Sequence, residues 1–333
     1  MHRIAIVGMG GFGSNLARQV DAHPDATLAA VVDVAEENLV AAAEHHGLPD
    51  EALFTDDAAM YDAADPDAVL VATPPAFHLE QVERALENDC HVLCEKPVVM
   101  DTDEAVALRD LERSTDRVVM TGYQRHLNPG FVHARERWRD GGPEPTFVTG
   151  ELTQDWRDVF ESGENWRTDP EVGGYGHLFS VGTHVVESVL WLTGLTPASV
   201  SAEMTFHDDA GRIDEQASLA VRFENGATAT LADTATAPAT REHIHVWDDA
   251  GAVYLEGENW GRRHLTVYDG DNEDVTPAVD YERTPSKVAA FLDAVESGSE
   301  PASTVQDAVR VTALLEAAYE AANEGRRVDV DLP

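Results

Sequence analysis

Lysine is almost absent from this chain of 333 residues, because 21 of its 23 basic residues are arginines. Cysteine is equally scarce, and Cys90 and Cys94 lie in or beside a predicted buried strand. Two thiols cannot build a structural zinc site, so we expect reduced, buried side chains and no metal. No apolar run approaches the roughly 20 residues that span a bilayer, and the chain opens directly with a predicted strand. We therefore expect a cytoplasmic protein with no membrane partner.

Basic charge is scarce as well, since 62 acidic residues against 23 basic ones give a formal net charge of −39. The acidic residues are scattered through periodic apolar segments, which predicts a folded chain with an acidic surface. Such a surface repels polyanions, so nucleic acid is not expected as a partner. Acid excess with lysine depletion resembles the composition of cytoplasmic proteins from salt-accumulating halophiles. We expect the fold to need molar salt, because salt screens the repulsion between surface charges.

Strand and helix patterns alternate over the first third of the chain. Short apolar runs predict strands, and segments with helical spacing separate them. The predicted strands are residues 3–7, 27–32, 68–72, 91–94 and 117–121. This alternation predicts an α/β fold, a doubly wound parallel sheet of the Rossmann type, over residues 1–122. Thr102 is the predicted N-cap of the helix before the fifth strand.

The pattern changes after Gly122. A helix is predicted over 129–139, and another runs from the turn at Gly173-Gly174 through Trp191. Six strand patterns then follow between residues 199 and 268, with a hairpin signal at Asn225-Gly226. Residues 123–333 are therefore predicted to form an α+β domain with a large, open and mainly antiparallel sheet.

A glycine-rich turn follows the first predicted strand and opens the first predicted helix. Its sequence, Gly8-Met9-Gly10-Gly11-Phe12-Gly13, fits the G-x-G-x-x-G pattern of dinucleotide-binding turns. The first glycine permits the tight turn, the second lets the backbone approach a pyrophosphate, and the third lets helix pack on strand. The phosphates would lie at the helix N-terminus, where free N–H groups and the dipole favour anions. The alternative is a plain glycine turn.

Asp33 ends the second predicted strand, 20 residues after Gly13. A carboxylate here accepts hydrogen bonds from the ribose hydroxyls of NAD and repels the 2′-phosphate of NADP. None of residues 34–38 is basic, so nothing nearby would bind that phosphate. We expect NAD to be preferred over NADP. Asp33 can also cap the next helix, and the two roles can coexist.

Further motifs occur in a fixed order along the chain. They are Ala72-Thr73-Pro74-Pro75, Glu95-Lys96-Pro97, Gly122-Tyr123-Gln124-Arg125, Trp166-Arg167, Gly173-Gly174, Gly182-Thr183-His184 and Gly325-Arg326-Arg327-Val328. With the glycine turn, this order and spacing resemble the glucose–fructose oxidoreductase/inositol dehydrogenase/MocA family over nearly the whole length.

The resemblance implies a nicotinamide cofactor at the end of the parallel sheet and redox chemistry on a small-molecule substrate. Family members oxidise or reduce a carbon–oxygen centre in sugars, inositols, dihydrodiols and related compounds. The second sheet often supplies an oligomer interface, so a homodimer or homotetramer is expected. Lys96 matches the family's EKP lysine, and His184 matches the histidine of its D-x-x-x-H segment. Ser180 replaces the aspartate of that segment and cannot carry its negative charge.

The proposed catalytic set is Lys96, Ser180 and His184. Lysine suits proton transfer because an amine beside a cationic nicotinamide loses its proton more easily, which arginine cannot do. The alternative is that Lys96 holds the substrate oxygen as a fixed cation. His177, Ser180 and His184 are spaced so that one helical face presents all three, and Glu187 would orient His184.

The remaining predictions complete the site. The expected cofactor-binding residues are Gly8, Gly10, Gly11, Phe12, Gly13, Asp33, Ala72, Thr73, Pro74, His78, Glu95, Lys96, Gln124, Trp166 and Arg167. The expected substrate-binding residues are Lys96, Arg125, Tyr175, His177, Ser180 and His184. The alternative role of His78 is packing at the N-terminus of a helix. The alternative role of the Trp166-Arg167 pair is to anchor its loop by packing and cation–π contact. Lys287 is interpreted as an ordinary surface charge.

Three functions remain open from the sequence. The first is an NAD-dependent oxidoreductase acting on a sugar, polyol or cyclic alcohol. The second is an enzyme that cleaves glycosides by transient oxidation and needs no net redox change. The third is a non-catalytic NAD-sensing regulator, which Ser180 keeps open and which the retention of Lys96 in so lysine-poor a chain disfavours.

Overall fold

The computed structural model describes residues 1–139, 141–163 and 165–333. The chain forms two compact units, Met1–Tyr123 with Pro285–Ala308, and Gln124–Thr284 with Val309–Pro333. The sequence predicted one boundary after residue 122 and placed everything beyond it in a single domain. The structure instead groups Pro285–Ala308 with the first unit, because the helix within this segment packs against the first helix of the chain.

The first unit is built around a parallel sheet of six strands. In chain order its elements are β1 (His2–Val7), α1 (Gly11–Asp21), β2 (Ala26–Val32), α2 (Glu36–His46), β3 (Leu53–Phe54), α3 (Asp57–Ala64), β4 (Ala68–Val71), α4 (His78–Glu87), β5 (His91–Cys94), α5 (Thr102–Arg113) and β6 (Val119–Thr121). The strand order is β3-β2-β1-β4-β5-β6. Strand β4 is buried throughout, as expected for a central strand of a sheet covered on both faces. The predicted Rossmann fold is confirmed.

The cap of α5 differs from the prediction. Asp101, and not Thr102, is the N-cap, and its carboxylate accepts a hydrogen bond from the backbone N–H of Glu104 at 2.8 Å. Aspartate and threonine are both good N-caps, so composition alone did not separate two neighbouring candidates.

The second unit contains an open sheet of eight strands. In chain order the remaining elements are α6 (Pro129–Glu136), β7 (Pro145–Asp155), α7 (Arg157–Ser162), α8 (Thr183–Thr193), β8 (Pro197–Phe206), β9 (Asp214–Phe223), β10 (Thr228–Thr234), β11 (Thr236–Asp248), β12 (Gly251–Glu258), β13 (His264–Asp269), α9 (Lys287–Ser297), α10 (Val305–Glu324) and β14 (Val328–Asp329). The strand order is β13-β12-β11-β7-β10-β9-β8-β14. Strands β7 and β10 pair in parallel and the other pairs are antiparallel. The predicted α+β domain with a mainly antiparallel sheet is confirmed.

The two faces of this sheet differ in burial. Along β11, Glu242, Ile244 and Val246 are buried, whereas His243 and His245 between them remain partly exposed. The buried face contributes to a core that includes α8, all eleven residues of which are buried. The opposite face therefore stays open in the single chain.

The helix predicted from the Gly173-Gly174 turn through Trp191 is not continuous. A π-helical turn, Leu178–Gly182, precedes α8 and changes the phase of the side chains that follow it. Such turns are frequent at functional sites, and this one contains Ser180. Within the described residues, no helix has the length and apolar composition needed to cross a bilayer.

Candidate active site

The glycine turn of the first unit leaves room where a dinucleotide would need it. Gly8 has a φ of 91°, which favours glycine. A Cβ atom on Gly13 would lie 1.8 Å from the carbonyl oxygen of Gly8, so α1 packs against the turn only with glycine there. A Cβ on Gly10 or Gly11 would meet nothing within 4 Å. The backbone is thus closely packed on one side and open on the other, which fits the binding of a diphosphate.

Asp33 ties this turn to the end of β2. Its Oδ2 accepts hydrogen bonds from the backbone N–H of Met9 at 2.6 Å and from Asn38 Nδ2 at 3.1 Å. Its Oδ1 accepts from the backbone N–H of Ala35 at 2.9 Å, just before α2 begins. The carboxylate is half-buried beside the glycine turn, where both of its predicted roles are compatible with its contacts.

The loop Ala72-Thr73-Pro74 packs on the same turn, because a Cβ on Gly8 would lie 2.7 Å from the backbone nitrogen of Thr73. His78 lies behind this loop, 1% exposed, with Nε2 at 2.7 Å from the Thr73 carbonyl and Nδ1 at 3.2 Å from the Val98 carbonyl. Burial lowers the pKa of His78, so the ring is neutral near pH 7. This placement favours the packing alternative, in which His78 positions the loop.

Lys96 lies next to the glycine turn. Its Nζ is 5.6 Å from the centroid of the Phe12 ring, and Phe12 is half-exposed. Two motifs separated by more than eighty residues in the sequence therefore place an amine beside the dinucleotide turn. This contact comes from the parallel sheet, in which β1 and β5 both end at the same edge.

Glu95 pairs with Lys287, so the interpretation of Lys287 as an ordinary surface charge is wrong. The Lys287 side chain is 11% exposed, and its Nζ contacts Oε1 of the Glu95 carboxylate. Oε2 of Glu95 accepts a 3.4 Å hydrogen bond from the backbone N–H of Lys96. The Glu95 carboxylate thus links Lys287 to the backbone of Lys96.

In the second unit, Ser180 and His184 lie on the π-helical turn and the first turn of α8. Both are buried, at 5% and 4% exposure. The ring of Trp260 meets His184 edge-on, with the ring centroids 6.0 Å apart. Trp260 is 40% exposed.

His177 is fully buried below this turn. Its Nδ1 lies 2.7 Å from Asp233 Oδ2, and its Nε2 lies 3.3 Å from Gln154 Oε1. These contacts favour a structural role over the predicted substrate contact. The π-helical turn after His177 also breaks the simple helical spacing on which a shared face with Ser180 and His184 depended.

Asp214 and Tyr319 support the π-helical turn, and sequence reasoning missed both. Asp214 Oδ2 accepts a hydrogen bond from the backbone N–H of Leu178 at 2.9 Å, and the Tyr319 hydroxyl donates to Asp214 Oδ1. Burial, with the nearby charge of Asp233, raises the pKa of Asp214 to about 6. No local pattern marks these residues, because they come from β9 and α10.

Arg125 is held within a buried cluster. Its guanidinium donates two hydrogen bonds to Glu242, at 3.0 and 2.6 Å, and Arg263 contacts the same carboxylate. Burial alone would raise the pKa of Glu242, but the two guanidinium groups hold it below its usual value. This placement favours a structural role for Arg125, whereas its neighbour Gln124 is exposed.

Three further predicted residues lie in aromatic contacts. Tyr175 stacks on Tyr319 with ring centroids 4.1 Å apart. The Arg167 guanidinium lies 4.3 Å above the Trp166 ring. This geometry is the loop-anchoring alternative considered for the Trp166-Arg167 pair.

The carboxylate of Glu187, which was expected to orient His184, contacts His126. The His126 ring also stacks on Trp191 at 4.1 Å. The His126–Glu187 pair is fully buried and joins the segment after β6 to α8. Its partners are 61 residues apart, and no motif in the sequence indicated it.

Both parts of the chain match one protein family. Residues 2–123 match the oxidoreductase family GFO/IDH/MocA with its NAD-binding Rossmann fold. Residues 132–254 match the GFO/IDH/MocA C-terminal domain. The first match lies within the first unit and the second within the second unit, and together they confirm the resemblance noted in the sequence.

Several relatives match over nearly their whole length. The chain is 27% identical over 337 residues to D-xylose 1-dehydrogenase (NADP(+)) 2 of Haloferax volcanii, covering 98% of this chain and 99% of the relative. It is also 27% identical over 342 residues to inositol 2-dehydrogenase of Rhizobium meliloti, again covering 98% and 99%. A crystal structure of aldose-aldose oxidoreductase from Caulobacter crescentus with glycerol has a TM-score of 0.83 at 24% identity, covering 98% and 99%, and shows a shared fold. The chain therefore belongs to the GFO/IDH/MocA family and is an oxidoreductase of the NAD(P)-dependent dehydrogenase type.

Proposed function

We propose that this protein transfers a hydride between NAD and a carbinol or carbonyl carbon of a sugar, polyol or cyclic alcohol. The observation that carries the proposal is the amine of Lys96, 5.6 Å from the Phe12 ring of the dinucleotide turn. The xylose and inositol dehydrogenases among the relatives support the substrate class.

Bound NAD would supply the hydride acceptor for alcohol oxidation. Lys96 takes the proton of the reacting hydroxyl as the hydride leaves, and returns it in the reverse direction. Ser180 and His184 bind the substrate by hydrogen bonds, and Ser180 does so without the charge that aspartate would bring. Arginine keeps its proton, so Lys96→Arg separates proton transfer from the fixed-cation alternative: restored turnover would favour the fixed cation.

A panel of substrates in molar KCl tests the function. D-xylose, myo-inositol, methyl glucosides and glycerol would each be incubated with NAD or NADP while NADH or NADPH formation is followed. Turnover of at least one cyclic compound is expected. Binding of NADH without turnover of any compound would favour the regulator, and cleavage of a glycoside without added NAD would favour the glycoside-cleaving enzyme.

The preference for NAD over NADP is part of the proposal and rests on Asp33. The relative from Haloferax is named for NADP, so the family does not decide the cofactor. Asp33→Ser should raise kcat/KM with NADP relative to NAD, because it removes a negative charge that would face the 2′-phosphate. Asn38→Ala, which loses one partner of Asp33 but keeps the charge, is the control. A wild-type preference for NADP would contradict the proposal.

We also propose a homo-oligomer, assembled through the open face of the eight-stranded sheet. This face carries a cluster of rings, which comprises Phe147, His243, His245, Trp247, Tyr254 and Tyr268. Exposed aromatic clusters of this kind are typical of protein interfaces. Trp247→Glu should yield monomers in analytical ultracentrifugation, whereas Val40→Glu, at an exposed position of α2 in the first unit, should not. A monomeric wild type would contradict the proposal.

The expected cytoplasmic setting and the salt requirement remain proposals as well. The surface carboxylates behind the net charge of −39 repel one another in dilute buffer. Molar KCl reduces the distance over which they interact to about 3 Å. Unfolding followed by circular dichroism should occur at a much lower temperature in dilute buffer than in molar KCl. Equal stability in both would contradict the requirement.

A further inference from the structure

The two lysines of the chain meet at one carboxylate. Lys96 and Lys287 are 191 positions apart in the sequence. The Glu95 carboxylate nevertheless accepts a hydrogen bond from the backbone N–H of Lys96 and forms an ion pair with the amine of Lys287. Glu95 is 4% exposed, and the Lys287 amine also lies 3.4 Å from the carbonyl oxygen of Gly122. A side chain at Gly122 would collide with Glu95, since its Cβ would lie 2.9 Å from Glu95 Oε2. The carboxylate is thus fixed from three sides.

The position of Lys287 is unfavourable for a cation by local criteria. It is the first residue of α9, directly after the N-cap Ser286, where the helix dipole disfavours positive charge. Every other basic residue in the chain except Lys96 is arginine. The ion pair with Glu95 offsets the local cost, because each buried charge would otherwise lack a partner of opposite sign.

Two further titratable groups near Glu95, His78 and Cys94, are neutral near pH 7. Burial lowers the pKa of His78 and raises the pKa of the Cys94 thiol well above its usual value, and both groups feel the charge of Glu95. The Glu95 carboxylate therefore faces the Lys287 amine and the backbone of Lys96.

We propose that Lys287 is a positioning residue that neutralises the Glu95 carboxylate and so sets how readily the amine of Lys96 exchanges its proton. This rests on the proposed function of Lys96. Without the Lys287 cation, the buried anion would stabilise the protonated amine one residue away. Without Glu95, the Lys287 cation would destabilise it.

Removing one charge at a time should change the pKa of the Lys96 amine in opposite directions in two single variants. In Lys287→Met the amine of Lys96 should titrate about one pH unit higher than in wild type, and in Glu95→Gln about one unit lower. The double variant Glu95→Gln/Lys287→Met should return close to wild type, because it removes both charges. Lys287→Arg keeps the cation and should change the titration least.

Lysine side-chain NMR measures this directly and independently of turnover. Protein labelled with 13C-lysine has two lysine spin systems, and Lys287→Met leaves that of Lys96 alone. The acid limb of the kcat/KM profile should move in the same directions. Unchanged Lys96 titration in both single variants, or a double variant no closer to wild type, would overturn the proposal. Retained turnover in Lys96→Met would instead remove the proposed function and leave the titration result standing.

A second inference rests on the turn between β12 and β13. Asn259 and Trp260 have φ values of 52° and 58°, so both are left-handed. Two such residues form the kind of hairpin turn in which glycine normally follows asparagine. A tryptophan in that position is strained, and strain of this kind is found where function requires it.

Trp260 is held in place from the interior. Its ring lies 5.5 Å from the Arg263 guanidinium, which contacts Glu242 and donates to the Gly261 carbonyl at 2.5 Å. The ring of Trp260 also meets the ring of His184 edge-on. We infer that Trp260 determines specificity by packing against the apolar face of a cyclic substrate held by His184, an inference that also rests on the proposed function.

Trp260→Gly tests this role, because glycine relieves the backbone strain at the same time. The temperature of thermal unfolding should change little. The KM for the cyclic substrate found in the panel should rise about tenfold, because the substrate loses one contact with the protein. Trp260→Tyr should restore most of the affinity, and KM for glycerol, which has no ring face, should stay unchanged. An unchanged KM for the cyclic substrate in Trp260→Gly, or an equal loss for glycerol, would overturn the inference.

Discussion

The glycine turn of the first unit and the π-helical turn of the second unit are held in shape in different ways. The glycine turn is specified by its own backbone, since Gly13 touches Gly8 five residues earlier. The π-helical turn is specified by side chains from elsewhere, since Asp214 binds the N–H of Leu178 and Asp233 binds His177. A backbone-specified site is sensitive to added atoms, whereas a side-chain-specified site is sensitive to charge and pH.

The largest effect is expected from adding one methyl group to the glycine turn. In Gly13→Ala the new Cβ would lie 1.8 Å from a backbone oxygen, so the turn and α1 cannot keep their contact. NADH binding, measured by fluorescence titration, should fall below detection. Gly270→Ala, where the nearest atom would be 3.8 Å away, is the matched control and should bind as wild type. Normal NADH binding by Gly13→Ala would show that the turn is not packed as described.

The buried cluster around Glu242 should be the most sensitive point of the second unit. Glu242→Gln leaves the guanidinium groups of Arg125 and Arg263 without their carboxylate and should lower the free energy of unfolding by about 3–5 kcal/mol. The exposed pair Arg241–Glu258 provides the control, since Glu258→Gln should cost less than about 1 kcal/mol. Denaturant titration in molar KCl measures both. Equal, small losses would argue against a structural role for Arg125.

A smaller effect should follow pH through Asp214. Its pKa rises from 3.8 to about 6 on folding, so the native state holds the proton more tightly than the unfolded chain. The resulting stabilisation is complete below about pH 4 and is lost as pH rises through 6, an effect of about 2–3 kcal/mol. Asp214→Asn should lack this part of the pH dependence, whatever its absolute stability. An identical pH dependence of stability in both proteins would show that a group other than Asp214 is responsible for it.

Sequence patterns were sufficient for the sheets and for the glycine turn. Alternation of apolar runs and helical spacing predicted most strands of both units, and β6 begins two residues later than predicted. The two-residue strands β3 and β14 were not predicted. The glycine turn was predictable because glycine itself is the requirement at Gly8 and Gly13. Lys96 was predictable for a similar reason, since its motif ends a strand at the edge where the turn lies.

Side-chain pairing between distant segments was not predictable. Glu95 and Lys287 are 192 residues apart, and Arg125 and Glu242 are 117 apart. One sequence shows that each residue is charged, but not which partner the fold brings to it. The π-helical turn was missed for the same reason, because the Asp214 acceptor that supports it lies on another strand.

The central claim is that the Lys96 amine, beside the dinucleotide turn, moves the proton in the reaction. Lys96→Met keeps the apolar stem next to Phe12 and removes the amine. In molar KCl, with the substrate found in the panel, kcat should fall by about 10²–10⁴-fold. The Kd for NADH should stay within about threefold of wild type, which corresponds to less than 1 kcal/mol. Turnover close to wild type in this variant would contradict the claim.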